Sequence, residues 1–227
     1  MKMKISFAKK FKIATKLTNK FLVMWFTVFP FINLFAAGLG EEDGSTFMII
    51  TQCFCYGSFI SLLYTVIINS QFFANIHHLR VLPFTMRDIK DIAFMNIIYH
   101  TLITAVIQCG ITAIFSPDIV PYILCMIIVN AALGMSYLLM CFTDKRVLAP
   151  PSKAASVEQS RKYVASVVVI MLVIMLVSVA LSTFIMYRGL NGTLAENIPM
   201  LIIITLSAIV VSLTEAAICR RMKTEIT

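Results

Sequence analysis

Apolar side chains run along this chain in six long blocks, residues 21–38, 47–72, 92–115, 119–142, 164–187 and 198–218, broken by short polar segments. A helix needs about 20 predominantly apolar residues to cross the hydrocarbon core of a bilayer. Each block therefore predicts a transmembrane helix, and the expected fold is all-α with six spans. Pro30 and Asn33 in the first block predict a kink, because proline removes a backbone donor. Ser116, Pro117 and Asp118 join the third and fourth blocks through a tight turn, which makes that pair a helical hairpin. Residues 143–163 are the longest polar segment, interrupted by Pro150 and Pro151.

Residues 1–20 follow another pattern. At 100° per residue, Phe7, Phe11, Ala14, Leu17 and Phe21 fall on one face and Lys9, Lys12, Lys16 and Lys20 on the other. This predicts an amphipathic helix along a membrane interface, lysines toward anionic headgroups. The plainer alternative is a basic flank before the first span. No small-residue cleavage site follows before the acidic stretch at Glu41, so the pattern argues against a signal peptide, although Ala36 and Ala37 leave a signal anchor open.

Composition agrees with a membrane protein: 59% of the 227 residues are hydrophobic and 13% charged, with a mean hydropathy of +0.90. One membrane domain over 21–218 and a short tail over 219–227 leave no room for a second, soluble domain. The net charge of +8 is distributed by segment, so it argues for membrane orientation and against a nucleic-acid partner. Eighteen of the nineteen Lys and Arg residues lie in 1–20, the turn at 77–91, the segment 143–163 and the tail; Arg188 is the exception. The positive-inside rule makes those segments cytoplasmic, with both termini inside and the bilayer as a constant partner. Glu41, Glu42, Asp43, Asp118 and Glu196 fall on the opposite side.

Inside the blocks, Asn96, His100, Thr104, Gln108 and Thr112 recur every four residues as a slowly turning polar stripe. Polar groups are costly in a bilayer, so the stripe either faces a translocation pathway or a second copy, or bonds to neighbouring helices of its own chain. Asn33, Gln52 and Asn130 are scattered singles that read as helix-to-helix bonds, and Glu215 sits one turn from Arg220 and Arg221, its expected partners. The six cysteines, Cys53, Cys55, Cys109, Cys125, Cys141 and Cys219, lie in or beside apolar runs and read as small apolar side chains. The CxC pair at Cys53 and Cys55 has no second pair nearby, so no metal is expected. No GxxxxGK[ST] loop and no HExxH occurs, and Glu41 with Glu42 lack the arginine that an intramembrane protease motif requires, so an enzyme is not expected.

The turn between the second and third spans, residues 77–91, reads HHLRVLPFTMRDIKD. Pro83 ends one helix or starts the next, and Arg87, Asp88, Lys90 and Asp91 predict a compact mixed-charge knob suited to a protein partner. Leu82, Pro83, Thr85, Asp88 and Ile89 match the pattern LP-x-[ST]-x-x-[DE]-[IV], and the segment resembles that of the ABC-2 type transporter permeases. With six spans, cytoplasmic termini and an amphipathic start, the resemblance extends over most of the chain. It implies that the turn is a coupling helix, with His77, His78, Arg80, Leu82, Pro83, Thr85, Arg87, Asp88, Ile89, Lys90 and Asp91 seated on a separate ATPase subunit. It further implies that two permease halves, identical or not, form the pathway, that ATP and magnesium belong to the ATPase partner, and that this chain carries no cofactor. The small size and plain loops look most like exporters of peptides in Gram-positive bacteria, including bacteriocin-immunity and phenol-soluble-modulin permeases, with an amphipathic peptide or hydrophobic compound as cargo and the cell membrane as location. The loop over 188–197 is shorter than the re-entrant helices many members place there.

Two readings from other classes stand beside it. One is the substrate-binding membrane subunit of an energy-coupling-factor importer, for which the first block lacks the AxxxA pattern. The other is a membrane anchor or assembly protein that transports nothing.

Overall fold

The computed structural model describes residues 6–28, 46–69, 71–72, 79, 84–143, 157–191 and 193–222. Among these the chain is helical, without strands. Helix α1 is Phe7–Ala14, and α2 occupies residues 20–28. Helix α3, Thr46–Leu62, passes into a π-helical stretch, Leu63–Ile68. Helix α4 is Met86–Phe115, and a 3₁₀ turn, Pro117–Ile119, leads into α5, Val120–Thr143. Helices α6, Val157–Asn191, and α7, Leu194–Arg221, complete the described chain.

Four of these helices are long and apolar enough to cross a membrane, over Met86–Ile114, Pro117–Thr143, Val168–Asn191 and Leu194–Arg221. The shortest of these stretches has 24 residues. At about 1.5 Å per residue even that one exceeds a hydrocarbon core of about 30 Å. They coincide with the last four apolar blocks. Of the first block only 21–28 is described, and in the second the apolar stretch Cys53–Ile68 is shorter than the other four. The chain is thus a membrane-embedded helical protein.

The helices alternate in direction. Phe72 meets Phe142 with ring centroids 6.1 Å apart, and Lys90 lies 5.9 Å from the Phe142 ring, so Phe72 and the end of α5 share one end of the bundle with the start of α4. Lys90 also donates to the carbonyls of Cys219 and Met222, which brings the end of α7 there, and α1 joins through Lys10. At the opposite end, a side chain at Gly189 would meet the Tyr122 ring at 2.9 Å, so α6 passes tightly over the start of α5. The described N-terminal and C-terminal helices therefore lie at the same end, hereafter the charged end.

Local chemistry sets the breaks. Ser116, at φ −152° and ψ 76°, leaves the helical region before proline, and Pro117 opens the 3₁₀ turn where its missing donor costs nothing. The expected turn at Ser116, Pro117 and Asp118 is realised in this form. In the π-helical stretch the Asn69 amide donates to the Tyr64 carbonyl at 2.8 Å and reaches the Gly134 carbonyl at 3.3 Å, tying the irregular turn to α5. The amphipathic helix expected over 1–20 is shorter: it stops at Ala14, the chain turns through 15–18, and α2 begins at residue 20.

Candidate functional site

The start of α4 is a built structure. Thr85 caps it: its hydroxyl accepts from the Asp88 N–H at 3.2 Å, while the Thr85 N–H donates to Asp88 Oδ2 at 3.0 Å. This reciprocal capping box satisfies donors that a helix start leaves open. Asp88 Oδ1 and Asp91 Oδ2 each lie 2.7 Å from the Lys10 ammonium, and Arg220 Nε donates to Asp91 Oδ1 at 2.8 Å. Two carboxylates at a helix N-terminus thus face cations from α1 and from the last turn of α7, each in a favourable place for the helix dipoles. Burial alone would lower the Lys10 pKa; hydrogen bonds and attraction from Asp88 and Asp91 outweigh it and raise the pKa above the ordinary 10.5.

Lys90 is buried although it has no carboxylate partner among the described residues. Its ammonium donates to the Cys219 carbonyl at 2.9 Å and the Met222 carbonyl at 3.1 Å, capping the C-terminus of α7. The expected mixed-charge knob is corrected here: Asp88, Lys90 and Asp91 are buried and spent on contacts within the chain, and of the four only Arg87 is exposed. The physical reason is that α1 and α7 bring cations and carbonyls to this point, which makes burial of those charges affordable. Ile89 is buried in the core and Thr85 is half-buried. His77, His78, Arg80, Leu82 and Pro83 lie outside the described residues.

The polar stripe of α4 also faces inward. Asn96, His100, Thr104, Gln108 and Thr112 are all 1% exposed or less within the chain. Thr18 donates to Asn96 Oδ1 at 3.1 Å, Thr27 and Thr104 hydroxyls lie 3.5 Å apart, and the Gln108 amide donates to the Thr27 carbonyl at 3.0 Å. Tyr56 of α3 donates to Gln108 Oε1 at 2.7 Å, and Thr112 donates to the Gln108 carbonyl at 2.6 Å. The stripe is a hydrogen-bonded seam between α4 and the segment 18–27, closed from the side by α3.

Asn130 behaves as the helix-to-helix bond expected of it: its amide donates to Ser182 Oγ at 2.7 Å, and Ser178 donates to its carbonyl oxygen. Asn33 lies outside the described residues. Glu215 departs from expectation. Ser136 of α5 donates to its Oε1 at 2.5 Å, while Arg220 turns to Asp91, because Glu215 lies on the α5-facing side of α7.

Of the expected apolar face, Ala14 and Leu17 turn to the bundle and Phe7 does not. Ala14 is buried, and Ile13 and Leu17 pack on the core beside the paired Lys10. Phe7 is 71% exposed and Phe11 37%, Phe11 meeting Tyr99 edge-on with centroids 5.8 Å apart. Lys9, Lys12 and Lys16 are exposed on the far side. Sequence reasoning missed Lys10 altogether, although Lys10, Ile13, Ala14 and Leu17 are spaced i, i+3, i+4, i+7, itself the signature of a helix face. It also missed Thr18, Thr27, Tyr56 and Ser182, which no local spacing marks.

All six cysteines are free, and no group of three His, Cys, Asp or Glu side chains is placed to hold a metal among the described residues. Compared with known proteins, the chain matches no family model, no curated protein and no solved structure.

Proposed function

We propose that the chain is the membrane-spanning permease subunit of an ABC exporter, with six spans and cytoplasmic termini, working with a second permease half and driven by a separate ATPase. Its cargo in this reading is an amphipathic peptide or similar hydrophobic compound. The sequence has no phosphate-binding loop, so any work it does must be supplied from outside. The observation that carries the reading is the ion-paired block at the charged end. Asp91 alone links α4 to α1 through Lys10 and to α7 through Arg220. A force applied at the turn just before α4 would reach three helices through short contacts, the Lys10 pair and the Lys90 bonds buried and the Arg220 pair half-exposed. Lys9, Lys12, Lys16, Arg87 and Arg221 are exposed at the same end, the distribution expected of a cytoplasmic face. Arg87, first in line after the turn, is the charge left available to a partner.

The test is purification of the native complex in mild detergent, with its components identified by mass. The reading expects a subunit bearing a GxxxxGK[ST] loop in fixed ratio to this chain and ATP-dependent peptide efflux from proteoliposomes holding the two. One observation favours the anchor or assembly reading: nearly every polar rung of α4 is consumed inside the chain. Purification without any ATPase, and no efflux, would select that reading.

A further inference from the structure

The seam between α2 and α4 has one rung that does not close. Thr18 with Asn96 and Thr27 with Thr104 bracket it, and between them stands His100, 1% exposed, with neither ring nitrogen hydrogen-bonded. Opposite this rung the buried residue of α2 is Val23, which has no side-chain donor or acceptor. One turn away Asn96 uses its carbonyl oxygen but leaves its amide nitrogen unmet. Of the seven buried side-chain atoms without a hydrogen-bond partner among the described residues, three belong to these two side chains. Native folds leave few buried polar atoms unmet, and surrounding lipid raises the cost of each one.

We propose that the α2–α4 seam parts to admit water from the charged end, and that His100 and Asn96 bind that water when it does. The chemistry suits an uncharged ligand with both donor and acceptor character. A neutral imidazole offers one of each, and the Asn96 amide adds a donor. The seam can part because its rungs are single hydrogen bonds, two between side chains and one from Gln108 to the Thr27 carbonyl, whereas Ile97, on the next face of the same turn, lies against Gly134. Lys20, exposed at the start of α2 and two residues on from Thr18, places a hydrated group near the charged-end rung of the seam. His100 stands about 21 Å along α4 from Met86, so the water must pass the Thr18–Asn96 rung to reach it. The inference stands whether or not an ATPase drives the chain.

The experiment compares His100→Cys with Ile97→Cys in inverted membrane vesicles. A charged, membrane-impermeant methanethiosulfonate is applied, and modification is read site by site by mass spectrometry with the native cysteines as internal references. The reagent attacks the thiolate, which forms in water and not in a dry seam. His100→Cys should react on the order of tenfold faster than Ile97→Cys. Equal rates at the two positions, whether both slow or both fast, would overturn the proposal. Should His100→Cys fail to fold, the wild type supplies the reading through deuterium exchange at the imidazole C2 position. Exchange at His100 comparable with that in the unfolded protein supports the hydrated seam, and full protection overturns it.

Discussion

Two seams hold this bundle together by different means. Between α2 and α4 the contact is a ladder of side-chain hydrogen bonds, Thr18 to Asn96, Thr27 to Thr104 and Gln108 to the Thr27 backbone. Between α3 and α6 it is close approach. A side chain added at Gly57 would come within 2.8 Å of Ser182 Cβ and 3.4 Å of the Thr183 nitrogen, and Ser61 reaches the Met175 carbonyl at 3.4 Å. Lipid is as apolar as the helices themselves, so association must come from tight packing at small residues or from hydrogen bonds. Packed seams resist sliding because backbones are in contact. A hydrogen-bonded rung in a membrane is worth only about 0.6–1.7 kcal/mol, so such a seam can open rung by rung. The first kind suits a fixed part of the molecule and the second a moving part.

The largest effect that would test this contrast is Gly57→Leu. It drives a side chain into α6 and should cost about 3 kcal/mol or more, seen as a lowered melting temperature in lipid nanodiscs. Gly110→Leu, with nothing within 4 Å of the new Cβ, should melt like the wild type. If both behave alike, the packed seam is not what the distances say.

Next in size is Asp91→Asn, which weakens the joint of α1, α4 and α7. The expected loss is about 2 kcal/mol, most of it from the buried Lys10 contact, since the half-exposed Arg220 contributes less. A double-mutant cycle with Lys10→Met isolates that contact, and additive effects would deny it.

Asn130→Leu removes the bonds to Ser178 and Ser182 and should cost about 1 kcal/mol by melting. That is less than Gly57→Leu, although both residues touch Ser182, because a lost hydrogen bond from α5 costs less than a side chain forced between α3 and α6.

The smallest effect is in pH. Lys10 has its pKa raised above 10.5 in the folded protein, so its pairing contributes fully below 10.5 and is lost as the pH rises through the folded value. The contribution of Lys10 to melting temperature should be flat from neutral pH to about 10 and fall above it. Lys10→Met should abolish that part of the decline.

How much of this was legible in the sequence differs by kind of contact. Apolar blocks located α4 to α7 because span length is a local property. They could not rank those helices by depth: 67% of the apolar stretch of α5 is buried against 6% of that of α7. Hydropathy cannot separate lipid from protein interior. The distinction lies in Asn130, Gly134 and Ser136 of α5 set against Ile202, Ile203, Leu206, Val210 and Leu213, which α7 turns outward. Thr85 and Asp88 could have been read as a capping box from their spacing alone. The buried fate of Asp91 and Lys90 could not, because their partners Lys10 and Cys219 lie 81 and 129 residues away.

The proposal that force enters at the turn and travels through the buried charges is tested most directly by Arg87→Glu beside Asp91→Asn, each purified with the native partners and assayed for ATP-dependent efflux. The account predicts that Arg87→Glu leaves melting unchanged but lowers capture of the ATPase, whereas Asp91→Asn retains capture and loses efflux. Wild-type capture and wild-type efflux in both variants would contradict it.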